Sequence, residues 1–337
     1  MKKKSFLVAE VAQAHEGSIN LAISYINIAK RCGYDAIKFQ IHLTQYETTL
    51  DDKFRPGTIN YNINRYNYWE KMEFTEDEWI KISNYCKKVD INLIISIFCF
   101  EAIEILKKLP HLYAIKISSG EMYNHELIQS VGSLKKPIII STGMASTREI
   151  LNLNKMLHKN KIKNFNILHC VSTYPTPIKN ANLNKIIYFR EKYQINLGYS
   201  DHTGNIDVIK AAISINTDII EHHICFDKNV ICPDTSSSLL PSEMKEISRF
   251  NTNFFLLFKN KFVEDSMKKT QLNKKLFTKS LSLKNDLKKG EVLKKENLTL
   301  KKPGTGLNQN FQSRIIGKTA KKNLSCMKLI KLSDFIK

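Results

Sequence analysis

A chain of 337 residues with 42% hydrophobic content has material for one large domain or a barrel with a smaller partner, which excludes a disordered polypeptide. No apolar run approaches the roughly 20 residues that cross a bilayer, and Met1-Lys2-Lys3-Lys4 leads into a strand-like segment without a cleavable apolar region, so a cytoplasmic chain with no membrane partner is expected. The formal charge of +20 comes mostly from scattered Lys, without a helix-turn-helix, zinc-finger or RNA-recognition signature, so no nucleic acid is expected, although a positive field attracts a small anionic substrate.

In chain order, short apolar runs predict strands at Phe6 to Glu10, Ala36 to Gln40, Asn92 to Phe98, Ala114 to Ser118, Pro137 to Thr142, Phe165 to Cys170, Ile195 to Ser200 and Asp218 to Ile224. Amphipathic stretches follow them: Leu21 to Arg31, Glu76 to Lys88, Glu101 to Lys107, His125 to Ser133, Arg148 to His158, Leu183 to Lys192, Asp207 to Ile215 and Ser242 to Phe258. Eight alternating units within residues 1–260 predict an α/β protein with a (β/α)8 (TIM) barrel, and no glycine-rich dinucleotide fingerprint follows the first strand. The longest interruption, His42 to Phe74, has a turn at Arg55-Pro56-Gly57 and is expected to border the site. Residues 261–279 are Lys-rich with little apolar periodicity and are expected to be a linker. Residues 280–337, with glycines at 290, 304, 306 and 317, are expected to form a small β-rich domain whose thin core favours docking on a barrel or another subunit. Seven cysteines without paired spacing are expected as buried thiols without disulfides.

The C-terminal strand ends of such a barrel converge on one mouth. Here they carry Glu10; Lys38 and Gln40; Ser96; Lys116, Ser119 and Glu121; Ser141; His169; Ser200 and His202; and His223. Packing alone does not call for a carboxylate, two lysines and two histidines at one end of a sheet. Lys38 and Lys116 with Ser119, Ser141 and Ser200 would form a cationic, hydroxyl-lined cradle for a phosphate and a carboxylate on one small molecule. Glu121 is placed as a general base. The blocks Tyr199-Ser200-Asp201-His202-Thr203-Gly204 and Glu221-His222-His223-Ile224-Cys225 deliver two histidines from adjacent strand ends, enough for one divalent metal with positions open to substrate oxygens. Alternation along the strand turns His222 to the face opposite His223. A zinc site from His222, His223, Cys225 and Cys232 is the competing arrangement.

The segments Ala9-Glu10-Val11-Ala12-Gln13-Ala14-His15-Glu16-Gly17-Ser18, Ile37-Lys38-Phe39-Gln40, Ile115-Lys116-Ile117-Ser118-Ser119-Gly120-Glu121, Ser141-Thr142-Gly143-Met144, Tyr174-Pro175-Thr176-Pro177 and Tyr199-Ser200-Asp201-His202-Thr203 resemble those of bacterial sialic acid (nonulosonic acid) synthases, in order across almost the whole chain. The C-terminal segment resembles their antifreeze-like SAF domain. The resemblance implies condensation of phosphoenolpyruvate with the open-chain aldehyde of an N-acylated hexosamine such as N-acetylmannosamine, with release of phosphate. By the same resemblance His202 and His223 hold Mn2+, with Mg2+ or Co2+ as alternatives. Glu121, Glu10 and Lys116 form the catalytic group. Lys38, Lys116, Ser119, Ser141 and Ser200 hold phosphoenolpyruvate, while Glu10, Gln40, Tyr174 and Asp234 surround the sugar. It further implies a homodimer in which SAF domains are exchanged.

Three departures bear on the acceptor. Ser96-Ile97-Phe98-Cys99 stands where the family has Ser-Thr-Pro-Phe, Ser172 where Asn is common, and Lys301-Lys302-Pro303-Gly304 where Lys-Arg-Pro-Gly is familiar, so Lys302 keeps a charge without the planar fork of Arg. A diacetamido-hexose, the acceptor for legionaminic- or pseudaminic-type acids, is the alternative within the family. A non-catalytic polyanion-binding protein is the alternative outside it.

Overall fold

The eight apolar runs fold as parallel strands: β1 Phe6–Glu10, β2 Ala36–Gln40, β3 Asn92–Ile97, β4 Ala114–Ile117, β5 Ile138–Ser141, β6 Phe165–His169, β7 Leu197–Asp201 and β8 Ile219–Ile224. The computed structural model describes residues 3–55, 63–259 and 268–336. Each strand pairs with the next, and β8 returns to β1 with Glu10 opposite His223, so the sheet closes into the expected barrel. A two-residue strand, β9 Ser238–Leu239, adds beside β8. Local sequence starts the surrounding helices. Thr75 and Glu78 form a capping box before Glu76–Val89, and Ser146 and Glu149 do the same before Thr147–Lys159.

Alternation along the strands gives the barrel two different surfaces. Outward residues such as Leu7, Ile37, Phe39, Leu93 and Ile95 are buried beneath the helices in the main core. Val8, Ala36, Ile94, Ala114, Ile139 and Leu168 form a separate inner cluster. The lumen is tight: a Cβ on Gly198 would come within 2.2 Å of Leu168 Cδ2 and 3.0 Å of the Ile219 carbonyl oxygen, so only glycine fits there without displacing its neighbours.

Contacts divide the chain into two units, Met1–Asn260 and Lys261–Lys337. In the second, Ser280–Leu283 pairs antiparallel with Leu298–Lys301 and Thr319–Ala320 with Phe335–Ile336, around Leu281, Leu283, Leu293, Ile315 and Phe335. Within the segment expected to be a linker, Lys268–Phe277 is helical. Its Lys, Gln and Leu residues lose little rotamer freedom in a helix, so propensity favours one where no apolar stripe announced it. The long interruption after β2 also contains helices, Thr44–Glu47 and Arg65–Met72, the latter capped by Asn64. Pro56 and Gly57 of the expected turn lie outside the described residues. Among the described residues no helix is long and apolar enough to cross a membrane.

Candidate active site

The inner residues change character along the barrel axis. Below they are the apolar cluster; one step further towards the C-terminal ends they become Glu10, Lys38, Ser96, Lys116, Ser141, Ser200 and Glu221. These line a cavity of about 410 Å³ at the barrel mouth, which contains thirteen of the fourteen residues expected to act on substrate or metal. The fourteenth, Lys302, belongs to the second unit, where its ammonium lies 5.4 Å from the centroid of the Phe277 ring.

The floor is an interlocked ion cluster. Lys116 Nζ donates to both oxygens of Glu221, at 2.8 and 3.0 Å, and Ser200 Oγ donates to Glu221 Oε1 at 3.0 Å. Lys38 Nζ lies 3.1 Å from Glu10 Oε2 and 3.3 Å from Glu221 Oε1, and donates to Ser96 Oγ. All four charged groups are buried. Burial alone would raise the Glu221 pKa, but Lys116, Lys38 and the Ser200 bond hold it well below the usual carboxylate range. Burial lowers the pKa of both lysines; for Lys38 the fields of Glu10 and Glu221 outweigh it, whereas for Lys116 the net direction is down. Glu221 was not among the expected site residues. The signal for it lay in the strand period, because the alternation that turns His222 outward turns Glu221 and His223 inward together.

Beside this floor, Ser119 Oγ accepts from the Gly143 amide at 2.9 Å and lies 3.2 Å from Cys170 Sγ. Ser172 comes so near that a Cβ on Gly143 would fall 2.2 Å from its Oγ. Ser141 Oγ is buried without a hydrogen bond among the described residues, leaving it for a ligand. Glu121 is half-buried at the rim, and Asn124 Nδ2 donates to it at 3.3 Å. Burial raises its pKa, the Asn124 bond opposes that rise, and Glu47 adds to it.

The histidine pair is built from the turn after β7. Asp201 points away from the lumen, accepting from Tyr199 Oη at 2.8 Å and from the Thr203 and Gly204 amides at 3.1 Å, and this pins the turn so that His202 faces inward. His202 Nδ1 donates to the Val171 carbonyl at 2.7 Å, which leaves Nε2 as the lone-pair nitrogen. Burial and the neighbouring His223 hold its pKa down at about 3, keeping the ring neutral. The His202 and His223 ring centroids are 5.6 Å apart, and Tyr174 stacks on His202 at 4.1 Å. His223 Nδ1 is buried with no hydrogen bond among the described residues, 3.8 Å from Asp234 Oδ2. His222 turns outward to bond Tyr34 Oη, and His169 turns outward to the Ala181 carbonyl at 2.9 Å.

A neutral His202 imidazole beside the His223 ring suits a divalent metal, and so does the charge of the cavity wall. Its described residues include four cations, Lys38, Arg55, Lys116 and Arg65, against six carboxylates, Glu10, Glu47, Asp52, Glu121, Glu221 and Asp234. The cationic cradle expected from the lysines is therefore balanced by acids. No group of three or more His, Cys, Asp or Glu side chains among the described residues is placed to hold a metal, which leaves the four-residue zinc arrangement without support.

The segment after β2 supplies the remaining wall. Gln40 donates to Glu10 and accepts from Gln13 Nε2 at 2.9 Å, with His42 Nε2 3.0 Å from the same Gln40 oxygen and Glu47 2.7 Å from His42 Nδ1. His42 stacks against Trp69 and Phe98. Arg55 reaches across to Asp234 and lies over the Tyr174 ring. His42, Glu47 and Arg55 were given no role in the sequence, which marked this segment as bordering the site and named Arg55 only as part of a turn.

Residues 25–261 match the NeuB family and residues 278–335 the SAF domain. The chain is 32% identical over 338 residues to the N,N'-diacetyllegionaminic acid synthase of Campylobacter jejuni, an alignment covering 98% of this chain and 99% of that protein. It is 31% identical over 338 residues to a pseudaminic acid synthase of the same species, covering 99% and 97%. Among solved structures, the N-acetylneuraminic acid synthetase of Leptospira borgpetersenii in complex with citrate superposes with a TM-score of 0.69 at 27% identity, covering 80% of this chain and 90% of that one. A closed barrel with this polar mouth, a following SAF domain and relatives aligned over nearly their full length lead to one assignment: the chain belongs to the NeuB family.

Proposed function

We propose that the protein is a cytoplasmic nonulosonic acid synthase that condenses phosphoenolpyruvate with the open-chain aldehyde of an N-acylated hexosamine and releases phosphate. The observation that carries this reading is the meeting, in one cavity, of the Lys38, Lys116, Glu10 and Glu221 cluster with the His202 and His223 pair. N-acetylmannosamine is one acceptor. A diacetamido-hexose is the second reading, favoured by the nearly full-length similarity to legionaminic and pseudaminic acid synthases.

In this reading Lys38 and Lys116, with the hydroxyls of Ser119, Ser141 and Ser200, hold the phosphate and carboxylate of phosphoenolpyruvate, assisted by Ser172. Glu10, Gln40, Tyr174 and Asp234 orient the sugar. A divalent ion held by His202 and His223, manganese with magnesium or cobalt as alternatives, would polarise the aldehyde oxygen. The methylene carbon forms the new bond to the aldehyde carbon, whose oxygen takes up a proton to become a hydroxyl. Using the C=C π electrons for that bond leaves C2 electron-deficient, and water adds there as Glu121 removes one of its protons. The new C2 hydroxyl gives up the other as the C2–O bond to phosphate breaks, leaving a ketone and free phosphate. The working unit is a homodimer in which the SAF domain of one chain brings Lys302 to the other's barrel.

Phosphate release is expected only when phosphoenolpyruvate, a divalent metal and an amino-sugar aldehyde are all present, and EDTA should abolish it. Phosphate release that ignores the sugar would overturn the assignment, as would salt-sensitive polyanion binding without any such turnover. Glu121→Gln should cost about a hundredfold to ten-thousandfold in kcat. A base acts when ionised, so wild-type activity should rise with pH through a limb displaced above the ordinary carboxylate value of 4.5, because burial raises this pKa. The limb should vanish in Glu121→Gln; a wild-type profile flat across the acid range would remove Glu121 from the role.

A further inference from the structure

One guanidinium lining the cavity takes no part in that chemistry. Arg55 crosses from the segment after β2 to the segment after β8, where its Nη2 donates to the Pro233 carbonyl at 2.6 Å and to Asp234 Oδ1. Its Cζ lies 4.0 Å from the centroid of the Tyr174 ring, the same ring that stacks on His202. Position and plane of the guanidinium are thus both held.

These bonds use only Nη2. A guanidinium carries five N–H donors in a rigid fork, and among the described residues Arg55 Nε and Nη1 make no hydrogen bond. Asp234 is similar: Oδ1 accepts from Arg55, whereas Oδ2 accepts no hydrogen bond among the described residues, His223 Nδ1 being 3.8 Å away. Both side chains line the cavity, so a donor fork and an acceptor oxygen stand side by side at its wall. A secondary amide is their complement, since it presents an N–H and a C=O at separate atoms of one rigid plane. A hydroxyl offers donor and acceptor at a single oxygen and cannot span both. Phe54 and Tyr68, which also line the cavity with ring centroids 5.5 Å apart, provide apolar surface for the alkyl end of an acyl group.

We propose that Arg55, paired with Asp234, reads an N-acylamino group of the acceptor and so determines the discrimination between acylated and unacylated sugars, an inference that rests on the synthase reading above. The test compares wild type, Arg55→Ala and Arg55→Lys in steady-state kinetics with two acceptor pairs: N-acetylmannosamine against mannose, and a diacetamido-hexose against its monoacetamido analogue. In Arg55→Ala the KM for the preferred acylated acceptor should rise at least about tenfold, with the KM for phosphoenolpyruvate within about twofold of wild type, so that discrimination falls by the same tenfold. Arg55→Lys, which keeps the charge but not the fork, should recover only part of it and serves as the reporter if the alanine variant folds poorly. Unchanged discrimination in both variants overturns the inference, and so does an equal loss for both members of each pair with a matching rise in the KM for phosphoenolpyruvate. A wild-type protein that releases no phosphate with any amino sugar overturns the synthase reading and this inference together.

Discussion

Glu221→Ala is expected to abolish measurable turnover and to destabilise the barrel by about 3–5 kcal/mol. The carboxylate is buried, and it is the partner of Lys116 in the cluster, a neighbour of Lys38 and the acceptor for Ser200. Removing it strands the buried Lys116 ammonium beside that of Lys38. Lys38 retains Glu10 at 3.1 Å, but Lys116 keeps no carboxylate partner among the described residues, and its pKa already lies below the ordinary lysine value through burial and the field of Lys38. Deprotonation of Lys116 would then relieve the fold while removing a charge proposed to hold the substrate phosphate. Glu221→Ala/Lys116→Met separates the two losses. Replacing the stranded charge with an apolar side chain of similar length should recover most of the stability in urea melts and none of the phosphate release. A single Glu221→Ala variant that melted within about 1 kcal/mol of wild type would show that the cluster is not held together as described.

The same residue shows where sequence reasoning stopped. The eight strands were legible because a closed parallel barrel needs short, nearly continuous apolar runs, and runs such as Leu93 to Ile95 and Ile138 to Ile140 have few other uses. The polar residues at strand ends were legible for the converse reason, as a Lys or Glu within such a run conflicts with burial unless something pairs with it. Glu221 escaped because it lies two residues before His223, inside β8 rather than at its end. Its assignment required the strand period and the closure of the barrel, which brings Lys38 of β2, Lys116 of β4 and Ser200 of β7 to one point, to be applied together. Arg55 was not legible in the same way. Whether a residue in a long segment crosses the mouth to Asp234 depends on the path of the backbone, which no local pattern encodes. The helix Lys268–Phe277 was missed because its evidence is propensity alone, a weaker signal than an apolar stripe.

The adjacent histidines of β8 provide the sharpest separation of effects. His202→Ala and His223→Ala should each lower metal-dependent turnover by at least about a thousandfold and abolish Mn2+ binding measured by calorimetry, since each removes one imidazole of the pair proposed to hold the ion. His222→Ala, one residue away, should bind Mn2+ as wild type does and keep turnover within a few-fold. It should nevertheless lose about 1–3 kcal/mol of stability, because His222 is buried and its removal leaves the Tyr34 hydroxyl buried without its ring partner. Tyr34→Phe in that background should return part of the loss by removing the orphaned hydroxyl, a rescue that catalysis would not register. Loss of metal binding in His222→Ala with retention in His223→Ala would reverse the facing of β8, and with it the inward placement of Glu221, because the two-residue period of one strand fixes all three side chains at once.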